Sequence, residues 1–267
     1  MNNFLRKTSL VLPWVLLSQL NPLSQPSFAS YASSRSSASR TPVVDATSEE
    51  GQARLARSTV RADFESLAYH FEAQTNHLLS GLASATIVLN ALRASTYKRA
   101  PLPAKTAETL PPGVDPFYYR YTQKTFLDSD TDNAKTLQSG FGLRKYAKAL
   151  RANRLTVQLR IADPSIEDTQ IRKELISNLS QAGNYVIVNY NRVALGQPDG
   201  NAIAPLGAYD TRSDSFLVLD VNPSVAPWVW VKSKDLIAAM RARDSKENHG
   251  YVLISDSLSH GMRTASR

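Results

Sequence analysis

The amino-acid sequence predicts an α+β fold, in which a helical first half packs on an antiparallel β-sheet formed by the second half. Two observations support this prediction. Apolar residues recur at helical spacing up to about residue 152. From Leu155 onward they alternate with polar residues or form short β-branched and aromatic runs, as strands do. Helices that precede strands in this way are typical of α+β proteins.

One folded domain is expected in this chain of 267 residues, because that length suffices for a single hydrophobic core. We place the domain at residues 48–259. Residues 30–47 are rich in Ser, Ala, Arg and Pro and are predicted to be a disordered linker. Residues 260–267 are predicted to form a short tail.

Residues 1–29 have the pattern of a secretory signal peptide. Arg6 and Lys7 supply a positive start, an apolar run from Ser9 to Leu20 follows, and Ala29 ends a stretch suited to cleavage. A retained anchor is the alternative, but the apolar run is shorter than the roughly 20 residues that span a bilayer. The sequence therefore predicts an exported protein, periplasmic or secreted, without a stable membrane anchor.

Composition excludes several classes of function. The chain has no cysteine, which excludes disulfides, thiolate metal sites and thiol catalysis. Its formal net charge of +8 comes from cations scattered along the sequence, without a basic stripe interleaved with aromatic residues. We therefore expect no nucleic-acid partner, and at most a mild attraction for small anionic peptides.

The helical half is predicted to contain three helices. The first begins near Ser48 and continues through Phe71. A central helix from Gly81 to Arg93 has small residues first and larger apolar residues later, which indicates burial on most sides. Prolines between residues 101 and 116 predict an irregular excursion, and a third helix follows from Leu143 to Ala152.

The sheet half is predicted to begin with a strand from Leu155 to Ile161, where apolar and polar residues alternate strictly. A helix from Ser165 to Gln181 follows, and Gly183 is expected to end it in the left-handed conformation. Four further apolar, β-branched or aromatic runs predict the remaining strands, at Tyr185 to Tyr190, Ile203 to Tyr209, Phe216 to Val221 and Tyr251 to Ser255.

Three motifs carry a resemblance to a known family. Residues from Phe71 to Leu92 match FExQxNxxxCGxASxxMVLNAL, with serine at the cysteine position. Residues from Val188 to Asp210 match VNYxRxxLGQxxGGHxSPLAAYD, and residues from Leu219 to Val231 match LDVxRYKYPPVWV. In this order and spacing the motifs resemble the phytochelatin synthase family. The chain lacks the cysteine-rich tail of the plant enzymes, so we expect the short bacterial form.

The resemblance implies a papain-like fold and a glutathione γ-glutamylcysteinyltransferase or glutathione peptidase activity. Such enzymes take the γ-Glu-Cys unit of glutathione as an acyl group on cysteine, release glycine, and pass the acyl group to another glutathione or to water. The implied partner is glutathione or another γ-glutamyl peptide. The resemblance also implies stimulation by heavy metals such as Cd or Zn. The sequence assigns no residue to a metal or cofactor and predicts no oligomeric state.

Four positions match the family's catalytic groups. The nucleophile position holds Ser80 and the position of the histidine base holds Ala202. Asp220 matches the acid that orients the histidine, and Gln74 matches the glutamine that donates to the oxyanion. A hydroxyl depends on an adjacent base far more than a thiol does. We therefore predict a catalytically dead or impaired homologue that keeps a cleft for glutathione-like peptides.

Other interpretations stay open at this point. Ser80 is the nucleophile of a serine-type γ-glutamyl transferase or hydrolase, with His77 as its base, or it is a helix N-cap and His77 a surface residue. Asp220 is retained for catalysis, or because it accepts hydrogen bonds from nearby backbone or tryptophan side chains. His249 replaces a family arginine, which would weaken carboxylate binding. A purely structural protein with a filled cleft is a third possibility.

Overall fold

The structure is a computed structural model that describes residues 43–99, 114–115, 120–128, 133–198, 200–243 and 248–256, with only the backbone described for 94–99, 114–115 and 256. The predicted signal peptide, most of the predicted linker, the predicted tail and most of the proline-rich stretch lie outside the described residues.

The described residues form eight helices and nine strands. The helices are α1 (Glu49–Arg57), α2 (Phe64–Tyr69), α3 (Ser80–Arg99), α4 (Gln123–Asp128), α5 (Asn133–Ser139), α6 (Leu143–Ala152), α7 (Asp168–Leu179) and α8 (Ser233–Arg241). The strands are β1 (Val44–Asp45), β2 (Val114–Asp115), β3 (Arg120–Tyr121), β4 (Leu155–Ile161), β5 (Asn184–Asn191), β6 (Asn201–Asp210), β7 (Ser215–Val218), β8 (Val229–Lys232) and β9 (Gly250–Asp256).

Seven of these strands form one antiparallel sheet in the order β1-β8-β7-β6-β5-β9-β4, and β2 pairs with β3. Helices cover both faces of the sheet. Successive residues of β5 point to opposite sides, so Ile187 packs in the cluster of α3 and α6, whereas Val186 and Val188 pack in that of α7 and α8. The predicted α+β fold, with a central helix on an antiparallel sheet, is confirmed.

The start of the central helix α3 is fixed against β6. A methyl group at Gly81 would lie 3.0 Å from Cδ2 of Phe141 and 3.3 Å from Cδ1 of Ile203, so this close approach favours glycine. One turn later, the Ser84 hydroxyl donates to the Ile203 carbonyl at 2.7 Å. Neither α3 nor any other described helix combines the length and apolar character needed to cross a bilayer.

Some predicted boundaries agree with the structure. The predicted bounds of α6 and β4 are those observed, and Gly183 has the expected positive φ of 83°. The predicted first helix is wrong, because it is divided into α1 and α2. Between them, Val60 forms an isolated antiparallel bridge with Tyr209, whose amide donates to the Val60 carbonyl at 2.8 Å. Such a bridge requires extended backbone and so interrupts the helix.

Ordered structure also begins earlier than predicted. The linker was expected to continue to residue 47, but Val44 pairs with Trp230 and Asp45 with Val229, so β1 forms an edge of the sheet. The strand predicted at Phe216 to Val221 is shorter, since β7 ends at Val218.

Candidate functional site

The N-terminus of α3 meets β6 at the predicted nucleophile position. The Ile203 backbone amide donates to the Ser80 hydroxyl oxygen at 3.0 Å. Ala202 precedes Ile203 in β6 and lines the same cavity as Ser80. The two predicted positions therefore line one cavity, although the Ala202 side chain belongs to the apolar cluster on the other face of the sheet. The N-cap interpretation is wrong, because Ser80 is the first helical residue and its oxygen accepts from β6.

A cavity of about 400 Å³ opens beside Ser80, a size usual for small-molecule sites. The described lining residues include no carboxylate; they are His77, Leu78, Ser80, Gly81, Ser139, Gly140, Phe141, Gly142, Asn189, Gly200, Asn201, Ala202, Ile203 and His249. The cleft is therefore open and not filled. Across the described part of the chain, no three or more potential His, Asp or Glu ligands are grouped to hold a metal ion.

Two histidines line this cavity. His77 is exposed, whereas His249 is buried and its Nε2 lies 3.0 Å from Oδ1 of Asn201. The Asn191 amide nitrogen, Nδ2, donates to the same oxygen at 2.9 Å, so this oxygen accepts from two sides. Because an amide oxygen only accepts, His249 donates from Nε2. Within the described residues neither histidine is hydrogen-bonded to the Ser80 hydroxyl, so no base acts on it directly.

The base position itself has no group that can accept a proton. Ala202 is 1% exposed and belongs to a buried apolar cluster. It pairs with Tyr190 in the β5 and β6 register. The methyl group faces this cluster and neither binds nor releases a proton.

Asp220 is wholly buried and fully hydrogen-bonded. Its Oδ2 accepts from the Tyr190 hydroxyl at 2.6 Å and from Arg192 Nε at 2.7 Å. Its Oδ1 accepts from Arg192 Nη2 at 2.8 Å and from the Asn222 amide at 2.9 Å. These bonds occupy about four acceptor positions, which is the capacity of a carboxylate. Asp220 therefore compensates a buried guanidinium.

The environment of Asp220 differs in one respect from the sequence-based interpretation. Among the described residues, the Asn222 backbone amide donates to Asp220, and no tryptophan does. Trp230 Nε1 donates instead to the Gly51 carbonyl at 3.0 Å. Burial, followed by the Asp220 charge, raises the pKa of Tyr190 well above its usual value. The Tyr190 hydroxyl therefore stays protonated and remains a donor to the carboxylate.

Gln74 is directed into its own loop. Its Nε2 donates to the Asn76 carbonyl at 2.9 Å, its backbone amide donates to the Val221 carbonyl at 2.8 Å, and its Oε1 is buried without a partner in the described residues. Gln74 does not line the cavity at Ser80. The structure therefore does not place the side chain of Gln74, the predicted oxyanion donor, in the cavity beside Ser80.

Asn189 is a cavity residue that the sequence-based assignment missed. It lies on β5 opposite Ile203 and is 5% exposed, and its side chain lines the cavity. No described residue forms a hydrogen bond with its amide side chain. The sequence did contain a signal for this residue, since Asn189 is polar within the otherwise apolar run from Val186 to Tyr190. A polar group in such a strand is costly unless it has a partner.

Comparison with known proteins decides the family. The family model of phytochelatin synthase matches residues 35–251. The chain belongs to the phytochelatin synthase family. Its helices and antiparallel sheet fit the papain-like fold of that family.

Three relatives illustrate the distance within the phytochelatin synthase family. The chain is 28% identical over 221 residues to glutathione gamma-glutamylcysteinyltransferase 3 of Lotus japonicus and 26% over 221 residues to glutathione gamma-glutamylcysteinyltransferase 1 of Arabidopsis thaliana. It is 24% identical over 200 residues to glutathione gamma-glutamylcysteinyltransferase of Schizosaccharomyces pombe. These matches cover 80%, 80% and 72% of this chain but only 42%, 42% and 43% of the relatives. The chain thus spans less than half the length of these relatives.

Proposed function

We propose that this protein binds glutathione or another γ-glutamyl peptide in the Ser80 cavity and does not transfer the acyl group. One observation carries the proposal. The Ser80 hydroxyl oxygen accepts a hydrogen bond from the Ile203 amide and, among the described residues, has no base as partner, while the side chain of Ala202 packs in the apolar cluster on the other face of the sheet.

Acyl transfer requires an attacking atom that can lose its proton. A serine hydroxyl is barely ionised near neutral pH and needs an adjacent general base. The bond from the Ile203 amide occupies a lone pair of the Ser80 oxygen and removes no proton. Members of such a catalytic cluster act as a unit, so the loss of one of them removes about as much rate as the loss of all. Binding without turnover follows.

Ligand binding is supported by the cavity itself. The buried Asn189 amide offers one donor group and one acceptor and has neither paired within the described residues. Because the Asn189 side chain lines the cavity, a ligand amide bound there can pair with both groups. A γ-glutamyl peptide carries such amides, and the relatives in Lotus japonicus and Arabidopsis thaliana are named for glutathione.

Calorimetric titration with glutathione and γ-glutamylcysteine tests this proposal. We expect saturable heat with both peptides and weaker binding by an Asn189→Ala variant. The matched control is Asn184→Ala, on the same strand but outside the cavity. Absence of heat at millimolar peptide would contradict the proposal.

A second candidate function is a serine-type γ-glutamylcysteinyl hydrolase, which uses Ser80 to cleave the Cys–Gly bond of glutathione and passes the γ-Glu-Cys acyl group to water, so that glycine is released. It is favoured by the His249 ring, which lies in the Ser80 cavity and donates from Nε2 to Asn201. In the neutral ring this tautomer makes Nδ1 the proton-accepting nitrogen. The hydrolase predicts glycine release from glutathione that disappears in both Ser80→Ala and His249→Ala. Release that survives either substitution argues against it.

Export is a further part of the proposed function, based on the leader pattern of residues 1–29. Expression of the full chain should yield a protein outside the cytoplasm whose N-terminus is Ser30. Recovery from the cytoplasm with Met1 or its neighbours still present would contradict this proposal.

A further inference from the structure

A second cavity, of about 610 Å³, lies across the segment Asn76–Leu79 from the Ser80 cavity. We call this segment the wall segment. Asn76 and Leu79 line the second cavity, whereas His77 and Leu78 line the first. The two cavities are therefore separate spaces that share one stretch of backbone.

The second cavity combines an apolar floor with charged groups at its edge. Leu79 and Leu82 are buried, and Leu127 is half-buried. The described lining residues are Glu72, Thr75, Asn76, Leu79, Leu82, Arg120, Thr122, Gln123, Lys124, Leu127 and Leu137. Four of these residues are leucines and seven are polar or charged, so the cavity offers both apolar contact and charged groups to a small molecule.

Glu72 carries the negative charge of this cavity, and within the described residues its carboxylate is only partly hydrogen-bonded. Glu72 is half-buried, and one of its oxygens, Oε1, accepts from Gln123 Nε2 at 2.9 Å. Within the described chain, Glu72 forms no ion pair and its other oxygen has no hydrogen bond. Burial raises the pKa of Glu72, partly opposed by the Gln123 bond and the Arg120 charge. A ligand ammonium group would stabilise this carboxylate.

The positive groups of the cavity are two exposed cations, Arg120 and Lys124. Lys124 forms an ion pair with Asp128, and both side chains are more than half exposed, at 81% and 51%. Exposed pairs of this kind contribute at most about 1 kcal/mol, so Lys124 can turn to a ligand anion at little cost.

We propose that this second cavity binds a zwitterionic amino acid or short peptide with an apolar side chain. The ammonium group lies at Glu72, the carboxylate at Arg120 and Lys124, and the apolar side chain on the leucine floor. This proposal does not depend on the function proposed for the Ser80 cavity.

Gln123 holds the negative end of the site in place. This buried side chain donates to Glu72 and to the Ala73 carbonyl at 2.8 Å, and it accepts from the Thr75 amide at 3.0 Å. It also accepts from the Thr75 hydroxyl at 3.2 Å. The partners in these four hydrogen bonds all lie on the loop that leads into the wall segment. The carboxylate is therefore presented by a fixed loop, as a binding site requires.

Calorimetry with three probes tests the proposal: L-leucine, L-leucinamide, which lacks the carboxylate, and N-acetyl-L-leucine, which lacks the ammonium group. We expect L-leucine to bind about tenfold more tightly than either analogue, which corresponds to the loss of about 1.4 kcal/mol per charged contact. Equal affinity for the three probes, or no saturable binding of L-leucine at millimolar concentration, would overturn the proposal.

Variants locate the binding. Glu72→Gln keeps an acceptor for Gln123, so it should fold, weaken L-leucine about tenfold and leave N-acetyl-L-leucine unchanged. Leu127→Trp should abolish binding by filling the cavity. The controls are Glu65→Gln, an exposed carboxylate outside the cavity, and Asn189→Ala in the Ser80 cavity, and both should bind as the unmodified chain does. Unchanged L-leucine binding by Glu72→Gln or Leu127→Trp, or its loss in Asn189→Ala, would contradict the assignment.

Discussion

Arg192 and Asp220 form a doubly hydrogen-bonded ion pair closed off from solvent, with side chains 2% and 0% exposed. Asp220 has a structural duty that does not depend on catalysis.

Asp220→Ala should therefore destabilise the protein by about 3–5 kcal/mol, because it removes the carboxylate that accepts two hydrogen bonds from the buried Arg192 guanidinium and balances its charge. Chemical denaturation measures this loss. Asp235→Ala on α8 is the matched control, since Asp235 is half-buried and forms no ion pair within the described residues. Replacement of both partners by Met and Leu should recover most of the stability, and failure to recover would show that the pair itself is net stabilising.

Gly81→Ala should destabilise the start of α3 by about 1–3 kcal/mol, because the added methyl group would crowd Phe141 and Ile203. Gly142→Ala is the control, since a methyl group there meets no atom within 4 Å and its φ is −74°. Thermal unfolding compares the two variants. If the two variants are equally stable, Phe141 and its loop move to accommodate the added methyl group without a measurable loss of stability.

The Asp210 carboxyl links stability to pH. Burial raises its pKa, but the hydrogen bonds from Arg57 and Ser213 outweigh burial and hold the pKa below its ordinary value of 3.8. The lowered pKa means that the stabilisation is present above pH 3.8 and is lost as the pH falls through the lowered pKa.

Asp210→Asn should therefore cost about 1.5–3 kcal/mol at neutral pH and progressively less in acid. Unfolding free energies of both proteins between neutral and acidic pH measure the difference. A difference that stays constant over this range would show that the Asp210 charge does not contribute.

The parts of the fold that could be predicted are those whose pattern is complete within one segment. The amphipathic residues of α6 and the alternation in β4 specify these elements locally, so their bounds were predicted correctly. The break between α1 and α2 depends on the bridge from Val60 to Tyr209. A contact between such distant segments overrides local propensity and leaves no local pattern.

The candidate site likewise has features that could be predicted from the sequence and features that could not. The resemblance predicts that Ser80 and Ala202 belong to one site, and both line the same cavity, but the side chain of Ala202 packs in the apolar cluster on the other face of the sheet. The His249 contact with Asn201 depends on how β5, β6 and β9 align, and the unpaired state of Asn189 depends on which side chains surround it. Neither feature is contained in residue type or spacing alone.

A double variant tests the alignment of Ser80 and Ala202 with the family's cysteine and histidine. The double variant Ser80→Cys with Ala202→His should release glycine from glutathione, because it restores an ionisable thiol and an imidazole at the two positions that match the family's catalytic groups and line this cavity. Each single variant should stay close to background, with and without added Cd or Zn. A double variant as inactive as the singles would show that the groups do not meet as the alignment implies.

Glycine release by the unmodified chain is the most direct measurement of the central claim, that the Ser80 hydroxyl has no base to take its proton. Purified protein and its Ser80→Ala variant are incubated with glutathione, with and without Cd or Zn, and free glycine is quantified. We predict that both proteins match the protein-free control. Release above that control by the unmodified chain, abolished in Ser80→Ala, would contradict the account.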